Sequence, residues 1–352
     1  MCSSDLVSLT LSGQLSFTAT AVQFVPVTAL KITLAGIEKL QATGGDLSDS
    51  LDASAITIPV TLIGGGGDDV LKGGNKDDLL QGGDGNDQLT GGAGRDTLDG
   101  QGNDDLLIAD KADATTTPAL RGLLKGGAGT DTLQFTNDSA QTLANTALFL
   151  TTTTRTTDSQ VTLETIERVQ LTGGAAANAI NASAFTLGPV TLSGGAGNDT
   201  LKGGTGDDSL DGGANNDSLE GGGGNDVLDG GIGDDKLLGG NDRDLLIGGL
   251  GKDLLNGGAG DDLLIGGTTS FNAAAITAVM AELTSANSYL DRIAHLQSGI
   301  GGANGSTKLD ATTIQNDAAN DMLFGEADMD WFFQSPGDVL DAINGEIVSA
   351  IP

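Results

Sequence analysis

A nine-residue unit, Gly-Gly-x-Gly-x-Asp-x-Leu-x, repeats without a break eight times over residues 194–265 and five times over residues 64–108. That period restricts the fold more than any other feature. Three glycines in four places suit left-handed or otherwise strained backbone, which residues with a Cβ adopt only at a cost. The first six residues therefore make a turn. The last three, such as Val227, Leu228 and Asp229, alternate outward, inward, outward as a short strand whose leucine is buried. A lone unit over residues 126–134 keeps the pattern, and degenerate units over 316–324 and 325–333 keep Leu323 and then substitute Phe332 at the eighth place.

The sixth place is aspartate throughout. It is Asp69, Asp78, Asp87, Asp96 and Asp105 in the first array, Asp131 in the lone unit, and Asp199, Asp208, Asp217, Asp226, Asp235, Asp244, Asp253 and Asp262 in the second array. The degenerate units add Asp321 and Asp330. One unit buries about one leucine, about 1.5 to 3 kcal/mol, while ordering its backbone costs about 1 to 2 kcal/mol per residue. Leucines alone cannot fold the chain. Stacked turns would also bring aspartates together, and their repulsion calls for a cation between them. Carboxylates and turn carbonyls make an all-oxygen cage suited to a hard divalent ion, and calcium tolerates irregular geometry better than magnesium. The aspartates of both arrays and Asp131 are the predicted metal ligands, and calcium is the predicted cofactor.

These residues resemble the RTX, or haemolysin-type, calcium-binding nonapeptide repeat of secreted bacterial proteins. The resemblance implies an all-β fold of parallel β-roll (β-solenoid) arrays, in which two successive units make one coil and turns two units apart share an ion. Asp199, Asp217, Asp235 and Asp253 would then line one edge, with Asp208, Asp226, Asp244 and Asp262 on the other. In the first array Asp69, Asp87 and Asp105 would face away from Asp78 and Asp96. Counting such pairs implies about nine calcium ions.

Some units depart from the pattern. Lys76 stands at the fourth place, where a left-handed residue is expected, while Asn103, Asn215 and Asp242 stand there in other units and tolerate that conformation. Gln101 replaces a second glycine, and Arg95, Arg243 and Lys252 fall in the variable fifth place.

With 57 glycines in 352 residues, 3% aromatic residues and a net charge of -32, the chain does not read as one conventional core. Such composition also signals disorder, but disordered sequence has no reason to hold leucine and aspartate in phase. Disorder is expected of the calcium-free state. The negative charge argues against nucleic acid and anionic membrane surfaces as partners, and no apolar run approaches a membrane span.

A longer repeat precedes each array. Ile37-Glu38-Lys39-Leu40-Gln41, Gly44-Gly45, Asp52-Ala53-Ser54-Ala55 and Pro59-Val60 recur as Ile166-Glu167-Arg168-Val169-Gln170, Gly173-Gly174, Asn181-Ala182-Ser183-Ala184 and Pro189-Val190. These leaders read as solenoid coils with apolar rungs. The predicted organisation is a β-rich leader at 1–63, a first calcium array at 64–108, a linker with the lone repeat and the second leader at 109–193, a second array at 194–267, and a C-terminal region at 268–352. Stretches 109–124 and 151–157 read as loop or edge. Met1-Cys2-Ser3-Ser4-Asp5-Leu6 reads as a sequencing-adapter end, which would make Cys2 foreign and leave a further domain upstream.

In the C-terminal region, residues 273–283 and 287–296 place Ile276, Val279, Met280, Leu283, Leu290, Ile293 and Leu296 at helical spacing. A short helical insertion is expected, followed by Trp331, Phe332 and Phe333 plugging the open end of the roll. Residues 337–352 lack Lys and Arg and also show helical spacing, which predicts a last helix or part of the uncleaved signal that RTX relatives present to type I secretion machinery.

No catalytic residues are predicted. His295 is the single histidine and falls in the second expected helix, so there is no His-Glu-x-x-His site, and no Gly-x-Ser-x-Gly elbow appears. The expected function is a non-enzymatic, extracellular calcium-binding scaffold that folds on leaving the cell. The alternative is the non-catalytic tail of a larger RTX enzyme, or an adhesin whose threonine-bearing faces bind cell-surface glycans.

Overall fold

The computed structural model describes residues 6–10, 14–18, 21–25, 31–33, 38–109, 122–137, 140–151, 159–299, 302–303, 305–310, 312–334, 336–342 and 346–350. The opening through residue 5 and most of the two stretches predicted as loop or edge lie outside them. The chain divides into two compact units, 1–171 and 172–352, a break that falls inside the segment predicted as 109–193.

In the first unit successive nonapeptides alternate between two sheets, because a six-residue turn reverses the chain after each short strand. One sheet carries Lys39–Thr43, Val60–Gly66, Leu79–Asp84, Thr97–Gly102 and Leu123–Ala128 in parallel. The other carries Ser50–Asp52, Val70–Lys72, Gln88–Thr90, Leu106–Ala109 and Thr132–Thr136. Leu71, Leu89 and Leu107 stand opposite one another and are all 0% exposed, so each eighth place forms a rung of the core. The leader continues these rungs with Leu40, Leu51 and Val60. Antiparallel pairing enters at two points, among Gln14–Thr18, Ala21–Val25 and Lys31–Thr33 and among Ala140–Ala144, Ala147–Thr151 and Ser159–Glu164.

The second unit repeats the arrangement. Ala179–Ala184, Thr200–Lys202, Ser218–Gly223, Lys236–Asn241, Leu254–Ala259 and Met322–Ala327 form one sheet. Val190–Ala196, Ser209–Ala214, Val227–Ile232, Leu245–Leu250, Leu263–Ile265 and Trp331–Gln334 form the other. Each unit is thus a parallel β-solenoid of the β-roll kind.

The helical insertion interrupts a single turn. A Cβ on Gly266 would meet Asp321 Oδ2 at 2.6 Å, the relation that every first-place glycine has to its own sixth-place aspartate. Gly266 and Gly267 therefore supply the glycine pair for the unit ending in Asp321, Met322, Leu323 and Phe324, and the insertion lies between them. It holds α1 (Ala273–Leu283), capped by Asn272 Oδ1 accepting from Ala275 N, and α2 (Tyr289–Ser298), which ends at Gly299 in the left-handed conformation. Neither helix is long and apolar enough to cross a membrane.

The helices explain an irregularity in the strands. Leu245, Ile247, Leu263 and Ile265 occupy the outward seventh and ninth places, yet they are at most 1% exposed because Val279, Leu283, Ile293 and Leu296 cover them. Trp331 and Phe333 pack in the same cluster, with ring centroids 4.8 Å apart. This corrects the expectation of an end plug: only Phe332 points inward, and the other two rings lie on the outer face under the helices. A further correction follows. Val339–Leu340 and Ile347–Ala350 are strands that pair in parallel with Met322–Ala327 and Trp331–Gln334, so the C-terminal stretch adds a coil and not a helix.

Candidate metal centre

Sixth-place aspartates stack along the turn edges as the spacing predicts. Within each ladder Oδ1 accepts the backbone N–H of the aspartate one coil earlier, 18 residues back within the arrays, while Asp78, Asp199 and Asp208 at the ladder starts accept from Val60 N, Asn178 N and Val190 N. Asp69, Asp87, Asp105 and Asp131 are joined in this way at 2.8 to 2.9 Å, with Asp78 and Asp96 on the other edge. In the second unit Asp199, Asp217, Asp235, Asp253 and Asp321 form one ladder, and Asp208, Asp226, Asp244, Asp262 and Asp330 the other. None of these carboxylates is more than 4% exposed.

The second oxygen is the chemically informative one. Oδ2 is buried without a hydrogen-bond partner in Asp69, Asp87, Asp105, Asp131, Asp217, Asp226, Asp235, Asp244, Asp253, Asp262 and Asp321. It is directed at the first-place glycine of its own unit, and in Asp69, Asp87, Asp105, Asp217, Asp226, Asp235, Asp244 and Asp253 it lies beside the first-place carbonyl of the following coil. A Cβ built on Gly212, Gly221, Gly230, Gly239 or Gly248 would lie 2.3 to 2.7 Å from that Oδ2 and 2.5 to 2.8 Å from that carbonyl oxygen. Only a glycine hydrogen leaves room for both oxygens at this spot, and an Oδ2 buried there without a donor costs about 1 to 3 kcal/mol unless a proton or cation intervenes.

The acidities reflect this. Burial pushes the carboxyls above their ordinary 3.8, to about 7 at Asp105, Asp217, Asp321 and Asp330 and about 8 at Asp226, Asp253 and Asp262. Asp244 reaches about 9, with Asp262 and Asp226 adding their repulsion.

The donor set fits calcium. Among the described residues no three His, Cys, Asp or Glu side chains gather to hold a metal, so a site here would combine one or two carboxylates with backbone carbonyls. Calcium accepts about six to eight such oxygens in irregular geometry.

Turns come in two forms, which resolves the oddity of Lys76. Open turns have positive φ at the second and fourth places, such as Gly231 at 96° and Gly233 at 145°, and there Gln101, Asn103, Asn215 and Asp242 adopt 72° to 80°. Closed turns instead bend the acceptor onto the second-place amide: Asp78 Oδ2 accepts from Gly74 N and Asp208 Oδ2 from Gly204 N, both at 2.6 Å. Lys76 sits in a closed turn and needs no left-handed backbone. Asp78 and Asp208 accordingly have both oxygens bonded by amides.

Several participants escaped the sequence reading. Asp49 and Asn178 hold sixth places in the leaders, and both close their turns, accepting from Gly45 N at 2.7 Å and Gly174 N at 2.9 Å. Their signal was present in Gly44-Gly45 and Leu51, but Leu47 at the fourth place hid it. Asp338 accepts from Asp321 N at 2.9 Å and ends one ladder. The fifth place is not arbitrary either. Asn86 N donates to Asp68 Oδ1 at 2.9 Å, Asn225 N to Asp207 Oδ1 at 2.8 Å and Lys252 N to Asp234 Oδ1 at 3.0 Å, a second ladder running opposite to the first. Ten of fourteen fifth places from Asp68 to Asp261 are Asp or Asn, which was the overlooked cue.

This geometry predicts unequal glycines. Gly230→Ala would press its methyl to 2.5 Å from Gly248 O and 2.7 Å from Asp235 Oδ2, whereas a Cβ at Gly223 meets nothing nearer than 3.9 Å. Gly230→Ala should lower stability in calcium by about 1 to 3 kcal/mol or more, and Gly223→Ala should be neutral or stabilising by up to about 1 kcal/mol. Denaturant titration of both variants in calcium checks the contrast.

The model of the RTX calcium-binding nonapeptide repeat, four copies long, matches residues 63–98, 82–111, 191–219, 202–237, 211–246 and 238–268. No curated protein matches the chain. With the turn geometry, these matches give the arrays their identity: residues 63–111 and 191–268 are RTX calcium-binding nonapeptide repeats, folded as a β-roll.

Proposed function

We propose that the chain is a calcium-dependent structural module of a secreted bacterial protein, one that leaves the cell unfolded and assembles its β-rolls outside. The observation that carries this reading is the row of buried, unpartnered Oδ2 atoms, which at Asp69, Asp87, Asp105, Asp217, Asp226, Asp235, Asp244 and Asp253 lie beside a carbonyl oxygen of the next coil. Calcium, when bound, supplies the positive charge that lets these oxygens share one space. The open-turn aspartates are the ligands in this reading, and the nine neighbouring pairs of the arrays then reduce to about seven ions, because the pairs Asp78–Asp96 and Asp208–Asp226 each contain a closed-turn residue. The ladders extend the series through Asp131, Asp321 and Asp330. A cytosol poor in free calcium would leave the arrays unfolded, as passage through a type I exporter requires. No residue is assigned a catalytic role. His295, the one histidine, places Nδ1 2.8 Å from Glu282 Oε1 on the neighbouring helix.

Position should matter more than charge. Asp226 is 0% exposed, accepts from Asp208 N and donates its own N–H to Asp244, so Asp226→Ala removes a ligand and orphans an amide. Glu220 is half-exposed on a strand and pairs with Lys202, an interaction worth about 0 to 1 kcal/mol. Isothermal calorimetry should show fewer calcium ions bound by Asp226→Ala and an unchanged number by Glu220→Ala. Equal losses in the two variants would refute the ligand assignment.

A further inference from the structure

The lone nonapeptide of the first unit is followed along its edge by a turn of another kind. Asp131 is 0% exposed; its Oδ1 accepts from Asp105 N at 2.9 Å, and its Oδ2 is buried without a partner. Where an array would present the next first-place glycine carbonyl, Thr165 O stands instead. A Cβ on Gly126 would lie 2.3 Å from Asp131 Oδ2 and 2.2 Å from Thr165 O, so the two oxygens converge as in the open turns. Where an array would present the next sixth-place aspartate, Glu167 stands, and its Oε2 accepts from Asp131 N at 2.9 Å.

Thr165 is held at φ 50°, which a β-branched residue adopts only under constraint. Its Oγ1 accepts from Gly127 N at 2.8 Å and donates to Glu164 O at 2.7 Å, fixing the turn against the lone unit. Backbone strain of this kind gathers at ligand sites. Among the described residues, no ion pair with a basic side chain involves Asp131 or Glu167.

We infer that Asp131 Oδ2, the carbonyl of Thr165 and the carboxylate of Glu167 form a further divalent-cation site, built half from a nonapeptide and half from the leader that follows it. The site ends the edge of the first unit with a glutamate because the turn through Thr165 and Ile166 is shorter than a six-residue glycine turn, and the extra methylene restores the reach. The inference rests on the calcium reading of the arrays.

Native mass spectrometry of the full chain with calcium alone resolves single bound ions. Glu167→Gln, which keeps an acceptor for Asp131 N, and Asp131→Asn should each carry one ion fewer than the parent chain, and Glu164→Gln, altered at an exposed neighbour, should carry the full number. Glu167→Lys provides a second readout: its ammonium takes the place of the ion, so one ion should be lost while the β-rich far-UV circular dichroism in calcium is kept. A parent-like count in Glu167→Gln or Glu167→Lys overturns this site and leaves the arrays standing. A parent chain that binds no calcium overturns both.

Discussion

In chelator near neutral pH the chain should give the far-UV circular dichroism of a largely disordered polypeptide, and calcium should convert it cooperatively to a β-rich fold with a midpoint at about 10⁻⁴ to 10⁻³ M. Each nonapeptide buries one leucine rung, and the core it builds is too thin to repay the ordering of nine residues. The turns oppose assembly as well, since oxygens such as Asp226 Oδ2 and Asp244 Oδ2 must be buried beside carbonyls in a chain of net charge -32. Calcium removes that opposition at many turns together, and because each ladder bond joins adjacent coils, loading one turn favours the next. Magnesium should act weakly, as it demands a regular octahedron that these turns do not offer. A spectrum already β-rich in chelator and unchanged by calcium would rule this out.

Acid should achieve part of what calcium does. Burial raises Asp226, Asp253 and Asp262 from 3.8 to about 8 and Asp244 to about 9. A carboxyl whose pKa is higher folded than unfolded holds its proton more tightly in the fold. Its contribution to metal-free stability is therefore complete below the unfolded value, about 4, and is lost as pH rises through the folded value, about 8 to 9. In chelator, β content should grow as pH falls across that window, with light scattering followed because the isoelectric point is about 4.1. Where protonation has folded the metal-free chain, calcium must displace those protons, so its midpoint should fall to lower concentration as pH rises, and level off once the metal-free chain is unfolded with its carboxyls already ionised. A calcium midpoint that stays constant while the metal-free chain passes from folded to unfolded would contradict the proton competition.

The regular part of the fold was legible because a nine-residue period fixes both the turn and the strand, while the pairing of Asp199 with Asp217 and of Asp208 with Asp226 came from the resemblance to the RTX repeat, which says how many units make a coil. Where the period is interrupted, counting fails. Gly266 and Gly267 are separated from Asp321 by the helical insertion, and a local reading assigned that aspartate a degenerate unit starting at Asn316. Val339, Leu340, Ile347 and Val348 fit helical spacing as well as strand spacing, and pairing with Met322–Ala327 and Trp331–Gln334 decides between them. Glu167 could not be found from the repeat because the repeat stops before it; the only hint was its place in a duplicated leader.

The 18-residue register of the ladders also sets a rule for changes in length. Adding or removing two nonapeptides lengthens or shortens the stack by one whole coil and leaves every later residue on its original face. Removing only one nonapeptide upstream would exchange the two faces for the whole remainder of the unit. Leu245, Ile247, Leu263 and Ile265, with Trp331 and Phe333, would then be carried to the opposite sheet, while the turn bearing α1 and α2 moved to the other edge with them. Arrays of this kind are therefore expected to grow and shrink by even numbers of units wherever a downstream insertion must meet a neighbouring surface outside its own coils, and freely by odd numbers only where nothing downstream distinguishes one face from the other.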